Sequence, residues 1–472
     1  MKKRLVAYAA LIVVVVTVSV FILSRERAPI RGGFAFAGGG RSAPTKAWEP
    51  SAKLDEQANE GFEVTKKGAD ATPTAGKSTE LDWPQFNGPK RDNKSPETGL
   101  LQSWPKEGPE LVWSSKGLGI GYSTVAVADG VLYTMGNKGE SEAVIALDAG
   151  SGEKIWSTPI SWASKLSAGD GPRSTPTISG DAVLALGGNG DLACLEKSSG
   201  KIRWRKNIMH DFEGGVPGWG VCESVLVDGN KVICTPGGAK GTIVALDINT
   251  GEPIWKSVLP QKDGAGYASA AVAEIGGVRQ YIQFTARGTV GVSADDGDFL
   301  WREDSAANPT ANCSSPLIEK NLVFSASSYG QGGALVKVTG SDSSFQAERV
   351  YHTSDMKNHH GDMVIVDGLL YGSDDAIFTC LELETGKVKW QNRSVGKGAV
   401  TFADGRIYLR SETGPVALIE PSGEGYREKG RFQQPDRSSA SAWAHPVVAA
   451  GKLFLRDQDL LLCYNVTASQ AP

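Results

Sequence analysis

The sequence predicts an all-β, eight-bladed β-propeller of four-stranded blades, and three observations carry that prediction. A strand–turn–strand block, VIALDAGSGEKIW at residues 144–156, returns four more times. The copies are ACLEKSSGKIRW at 193–204, VALDINTGEPIW at 244–255, GVSADDGDFLW at 291–301 and TCLELETGKVKW at 379–390, each with Gly four residues ahead of Trp. The closing aromatics, Trp113, Trp156, Trp204, Trp255, Trp301, Tyr351, Trp390 and a position near Phe432, recur every 39 to 51 residues, the length of one blade. The last unit, residues 445–466, supplies only three strands, while residues 111–113 look like the orphan end of another. N- and C-terminal pieces then close one blade together, and the ring has no open sheet edge.

In chain order, the first element is MKKR followed by the uncharged apolar stretch 5–23. Its length suits one membrane span better than a signal-peptide core. The basic residues ahead of it outweigh the charges behind it, so the start stays cytoplasmic and the remainder is exported. Residues 1–23 are therefore expected to be a signal anchor. Residues 24–81 show no sustained apolar period and are expected to be a disordered tether. Order resumes at Trp83-Pro84-Gln85-Phe86, and residues 82–472 form the propeller.

Within each unit the alternation fits four short strands. Residues 122–128 and 131–135 pair across Asp129-Gly130, a hairpin dipeptide that recurs at Asp228-Gly229, Asp367-Gly368 and Asp404-Gly405. Two units are degenerate: ALVKVTGSDSSF at 334–345 and VALIEPSGEGY at 416–426 lack the Trp. The closing Trp is expected to fill the wedge between neighbouring blades and to need a partner for its N–H.

Composition narrows the function. The chain carries 49 Lys and Arg against 53 Asp and Glu, and the propeller part is the acidic one, which argues against nucleic acid as a partner. Of the six cysteines, Cys194, Cys380 and Cys463 fall in the slot held by Ala146 and Ala245, so they read as free core thiols in separate blades. Cys222, Cys234 and Cys313 stay open between free and bridged.

Chemistry is expected where the connectors enter the innermost strands, because these converge on the central channel. The candidate funnel residues are Arg173, Trp219, Glu223, Asn312, His359, His360 and His445, with Lys397 and the loop residues His210, Asp211 and Glu213 beside them. Such a set reads as a ligand or cofactor pocket. On a strand, adjacent residues point to opposite faces, so only one of His359 and His360 is expected to reach the funnel. No zinc, Walker, Rossmann, haem or serine-hydrolase pattern occurs in the sequence.

The ALDxxTGxxxW repeat around such a ring resembles the pyrroloquinoline-quinone (PQQ) repeat. Its closer likeness is to exported bacterial PQQ-binding-like propeller proteins. The resemblance rests on Trp83-Pro84-Gln85-Phe86, VPGWGVCESVL at 216–226, Thr235-Pro236-Gly237-Gly238, Val278-Arg279-Gln280-Tyr281, Asn358-His359-His360-Gly361 and Trp443-Ala444-His445-Pro446. It covers about residues 83–466 and implies the fold. It leaves activity open, because the superfamily holds both quinoprotein alcohol dehydrogenases and a non-catalytic lipoprotein of the outer-membrane assembly machinery.

The expectation is a membrane-anchored envelope propeller on the periplasmic side that binds or scaffolds an envelope protein or a small-molecule ligand, without catalysis and without a cofactor. The alternative is a PQQ- and calcium-dependent alcohol-type dehydrogenase. In that case the resemblance implies calcium held by oxygens such as those of Glu223 and Asn312, with a carboxylate from Asp355 or Asp362. Arg173 would then pair a quinone carboxylate, and Trp219 would stack on its rings. The vicinal cysteine pair that covers the quinone in many of those enzymes is missing.

Overall fold

A computed structural model describes residues 48–67 and 82–468. The expected anchor at 1–23 and most of the expected tether lie outside the described residues. Among the described residues no helix is long and apolar enough to cross a membrane. The chain forms eight antiparallel sheets, seven of four strands and one of five, as an eight-bladed propeller. Each blade is a meander from an innermost to an outermost strand. Blade 1 runs from Ala126–Ala128 to Lys154–Trp162, and blade 7 from Gly398–Ala403 to Arg427–Phe432. The termini close blade 8: Glu110–Lys116 pairs with Leu460–Asn465, and Trp113 faces Cys463.

The repeat block has a geometric cause. In every blade the fourth strand carries a bulge just before its closing position, as at Ile155 between Lys154 and Trp156. The bulge turns the closing ring toward the next blade and leaves Ile155, Ile254 and Val350 in solvent. Opposite each closing Trp sits a small residue: Ala146, Cys194, Ala245, Gly291, Cys380 or Cys463. Where Tyr351 and Gly430 replace the Trp, that slot enlarges to Leu335 and Leu418. All six cysteines are free, as the slot argument requires for three of them.

The turn Gly four residues ahead of each Trp meets the closing ring of the preceding blade and not the Trp of its own block. Trp156 of blade 1 lies on Gly200 of blade 2, where a Cβ would come 2.5 Å from the ring, and its N–H donates to the Lys197 carbonyl at 3.0 Å. Trp204 repeats this with Gly251 and the Ile248 carbonyl, and Trp113 with Gly152 and the Ala149 carbonyl. These glycines have φ near +70°, so they serve as turn residues and as a flat seat together.

Two blades improvise. Blade 5 replaces the turn with a long hairpin, Gly332–Ser341 and Ser344–Thr353, and Trp301 of blade 4 turns its N–H back to Gln280 of its own blade at 2.7 Å. Blade 7 closes at Gly430, two residues from the Phe432 near which the spacing placed it. The missing ring comes from elsewhere: Trp104 packs on Gly430 and lies edge-on to Tyr408 at 5.6 Å and to Phe432 at 5.3 Å.

Part of the expected tether is folded. Residues 48–67 form a helix, Ala52–Asn59, capped by the Ser51 hydroxyl, and a strand, Glu63–Lys66, that becomes the fifth strand of blade 8. Trp48 is buried under the Arg205 guanidinium, 4.5 Å from the ring centroid, and Leu54 and Ala58 are buried on one helical face. These anchors span too few residues to produce a period in the sequence. Their order comes from tertiary contact.

The stretch after Asp82 is a plug. Trp83 bridges Val127 of blade 1, and Pro84 accepts from Ile178 of blade 2. Arg91 donates to the Ser224 and Val225 carbonyls of blade 3, Asn87 donates to Asp362 of blade 6 at 2.6 Å, and Phe402 of blade 7 donates its N–H to the Asn93 carbonyl and accepts from the Ser95 N–H. One short segment thus touches five blades, and Arg91 is buried on the way.

Candidate functional site

Because every innermost strand runs in the same direction, all the connectors between blades emerge on one face. They enclose a cavity of about 270 Å³, closed from the other side by Phe86 of the plug. Its walls are aromatic. Tyr122 and Trp443 lie 4.6 Å apart, Trp219 and Tyr267 meet edge-on at 5.5 Å, and Tyr329 meets His359 edge-on at 5.2 Å. The Phe86 ring lies 4.9 Å from that of His445.

Most polar groups in this cup are already bound to the protein. Lys397 Nζ donates to His359 Nδ1 at 2.9 Å, so the Nε2–H of that ring faces the Tyr329 hydroxyl at 3.3 Å. His360 Nε2 donates to Glu412 at 3.1 Å, and the Trp443 N–H donates to the same carboxylate oxygen at 3.1 Å. His445 Nε2 donates to the His360 carbonyl at 2.8 Å. The Nδ1 atoms of His360 and His445 are buried without a hydrogen-bond partner among the described residues. Asp362 accepts from the Asn87 side chain and, at 2.7 Å, from the Ser315 N–H.

Burial sets the protonation of these groups. It pushes His359 down to about 3, helped by His360 and Lys397, and lowers His360 and His445 as well, so all three rings are neutral at neutral pH. The His360 hydrogen bond, with Lys397 and Trp443, holds Glu412 at about 2 against the cost of burial. Burial raises Asp362, and it lifts the Cys222 thiol to about 11. The cup is an aromatic vessel with neutral imidazoles and inert thiols.

Of the residues predicted from sequence, Arg173, Trp219, His359, His360 and His445 line the cup. Both His359 and His360 reach it. They sit in an irregular connector ahead of Met363–Val366, where strand alternation does not apply. Arg173 lies over Tyr122 at 5.1 Å and Trp443 at 5.9 Å, with its N–H groups on the carbonyls of Ser167, Gly169 and Gly171. It fastens a loop.

Glu223 and Asn312 do not line the cup. Glu223 accepts from Thr235 N–H at 2.7 Å, the Thr235 hydroxyl and Gln283, and Asn312 braces Asn308 and the Thr285 carbonyl. Both lie in the connectors ahead of the innermost strands Leu226–Asp228 and Leu317–Glu319, with their side chains engaged away from the cup. His210, Asp211 and Glu213 line a separate cleft with Lys206, Lys240 and Glu252, beside the outermost strands of blades 2 and 3. Tyr267 lines the cup as a residue entering an innermost strand should. Sequence reasoning missed Tyr329 and Glu412 and read Phe86 only within the Trp83-Pro84-Gln85-Phe86 motif. Tyr329 carries no motif, and Glu412 acts from the turn behind its blade's second strand, a position with no repeat signal.

The donor set does not fit calcium. That ion takes six to eight oxygens, whereas among the described residues the only carboxylate lining the cup is Asp362, already engaged by Asn87 and Ser315. Among the described residues no group of three or more His, Cys, Asp and Glu side chains is placed to hold a metal ion.

A family model, PQQ_2, described as outer membrane protein assembly factor BamB, matches residues 140–392. Outer membrane protein assembly factor BamB of Burkholderia pseudomallei is 24% identical over 186 residues, 38% of this chain and 43% of that protein. Its Escherichia coli counterpart is 29% identical over 143 residues, 29% of this chain and 31% of that protein. The chain thus spans less than half the length of these curated relatives. A quinohemoprotein alcohol dehydrogenase from Pseudomonas putida HK5 superposes with a TM-score of 0.56 at 14% identity, over 85% of this chain and 84% of that one. One from Comamonas testosteroni gives 0.54 at 14% identity, over 86% and 82%. At this identity the likeness is one of fold.

Proposed function

Because this chain belongs to the PQQ_2 family, whose model is described as outer membrane protein assembly factor BamB, we propose that it is a binding or scaffolding module of the cell envelope. It holds a partner segment or a small ligand in the axial cup and performs no chemistry of its own. Residues 1–23 tether it to the membrane, with the propeller on the exported side. One observation carries the reading. The cup is concave, aromatic and closed below by the plug, and its ionisable groups are bonded to one another or to the backbone, with the Nδ1 atoms of His360 and His445 left over on imidazoles that burial keeps neutral. Aromatic walls give binding energy, whereas a catalytic acid or base needs a free proton position near neutral pH.

The alternative, a PQQ- and calcium-dependent dehydrogenase, finds less support. The oxygen ligands it would need, Glu223 and Asn312, are engaged outside the cup. The full-length protein in detergent, carrying a photo-crosslinking residue at Tyr329, should give a discrete adduct in envelope extracts. Trp219→Ala and Trp443→Ala should abolish that adduct without changing the melting temperature by more than a few degrees. Alcohol-dependent dye reduction by the purified protein with PQQ and Ca²⁺ would overturn the reading.

A further inference from the structure

Two fully buried carboxyls stand behind the cup and take no part in lining it. Glu142, in the third strand of blade 1, accepts from the Gly188 N–H at 2.9 Å and from the Ser161 hydroxyl at 3.3 Å, and its Oε1 has no partner among the described residues. Among the described residues Glu223 accepts only from Thr235 and Gln283. Among them no cation forms an ion pair with either carboxyl. Arg205 pairs with Asp191, and Arg91 donates to Gln85 and to the Ser224 and Val225 carbonyls.

Both carboxyls sit at the roots of the same piece of the rim. Ser161 opens the connector that carries Ala168 and Arg173 into the cup, and Glu223 ends the one that carries Trp219 and Cys222. The two connectors are laced together. Gly188, whose N–H binds Glu142, accepts from Val221 N–H at 3.0 Å, and the Thr175 N–H donates to the Ser224 hydroxyl at 2.8 Å. The Leu166 side chain fills the space where a Cβ on Gly220 would stand.

We propose that these two connectors, residues 161–175 and 216–224, form a gate on the cup, shut while Glu142 and Glu223 are protonated and loosened when they ionise. An ionised carboxylate held by neutral donors alone is unstable in a dry interior. It either takes a proton or draws in water. Burial raises both acids to about 7, against the partial relief each gets from its hydrogen bonds. The facing groups fit this. Around Glu142 the charged neighbour is Asp191, itself raised to about 6, with Arg205 beyond it. Around Glu223 they are Arg91, which lowers it, and the neutral Cys234 thiol. The gate closes below neutrality and opens above it, whatever the cup holds.

Hydrogen exchange of the full-length protein in detergent, corrected for the intrinsic pH dependence of exchange, tests this. Between pH 5.5 and 8.5, protection in peptides spanning 161–175 and 216–224 should fall by about tenfold or more, while peptides from outermost strands hold theirs. Glu142→Gln with Glu223→Gln should remove the difference. Should the double variant fail to fold, Glu142→Gln alone should halve the logarithmic change, and Asp191→Asn should leave most of it. A wild type with no pH response, a response equal in all blades, or one that survives both glutamines overturns the gate.

Discussion

Trp204 and Trp219 are separated by one connector and do opposite work. Trp204 lies flat on Gly251 of the next blade with its N–H on the Ile248 carbonyl, a contact that recurs around the ring with only local repairs. Trp219 stands at the cup against Tyr267, a Trp–Tyr contact between neighbouring connectors whose counterpart on the rim is Trp443 on Tyr122. The outer seams of this propeller answer one physical problem eight times, the filling of a wedge. The inner ring varies from blade to blade. Repetition therefore marks what holds the ring together, and its breakdown marks the cup we propose as a binding site.

The comparison can be broken by experiment. The largest effect is expected at the seam that closes the ring. Trp113 is fully buried, so Trp113→Ala should cost about 3–5 kcal/mol in denaturant unfolding, against less than about 1 for half-exposed Trp219→Ala. Equal losses would mean that the seams are not the main source of stability. Trp104→Ala should behave as a seam mutation, at about 3 kcal/mol, although it lies outside the repeat.

A second test is electrostatic. Glu142 and Glu223 are raised from 4.5 to about 7 in the folded protein. The native state binds more protons than the unfolded chain between those values. Their stabilising effect is complete below pH 4.5 and lost as pH rises through 7, by up to about 3 kcal/mol each. Melting temperature should fall across that window, and less so in the glutamine variants.

The seat itself can be dissected with two glycines of similar φ. Gly251→Ala meets the Trp204 ring at 2.8 Å and should cost about 2–3 kcal/mol, whereas Gly229→Ala meets nothing and should cost about 1, the price of a left-handed alanine. The gap between them measures the seam contact. The smallest effect belongs to the clip. Glu153→Gln, which breaks the exposed pair to Lys66 at 2.9 Å, should change stability by less than about 0.5 kcal/mol.

Much of the candidate site was legible in one sense only. Arg173, Trp219, His359, His360 and His445 were found because the repeat frame says which residues enter an innermost strand. What they do there was not, since a connector has no periodicity from which to infer direction. Arg173, read as a free cation for a ligand, spends its donors on three loop carbonyls. Glu223 and Asn312, at equivalent places in the chain, turn the other way.

By itself the sequence determined the blade, the number of blades, the closure by both termini and the free thiols in the Trp-facing slot. Those features follow from local chemistry: alternation along strands, glycine in left-handed turns, and a small residue opposite a large ring. Only the tertiary structure decided that Trp104 completes blade 7, that residues 48–67 clip onto blades 1, 2 and 8, and that the plug closes the channel beneath Phe86. Each of these joins residues far apart in the chain through a few anchoring side chains, and contacts of that kind leave no period for a sequence to display.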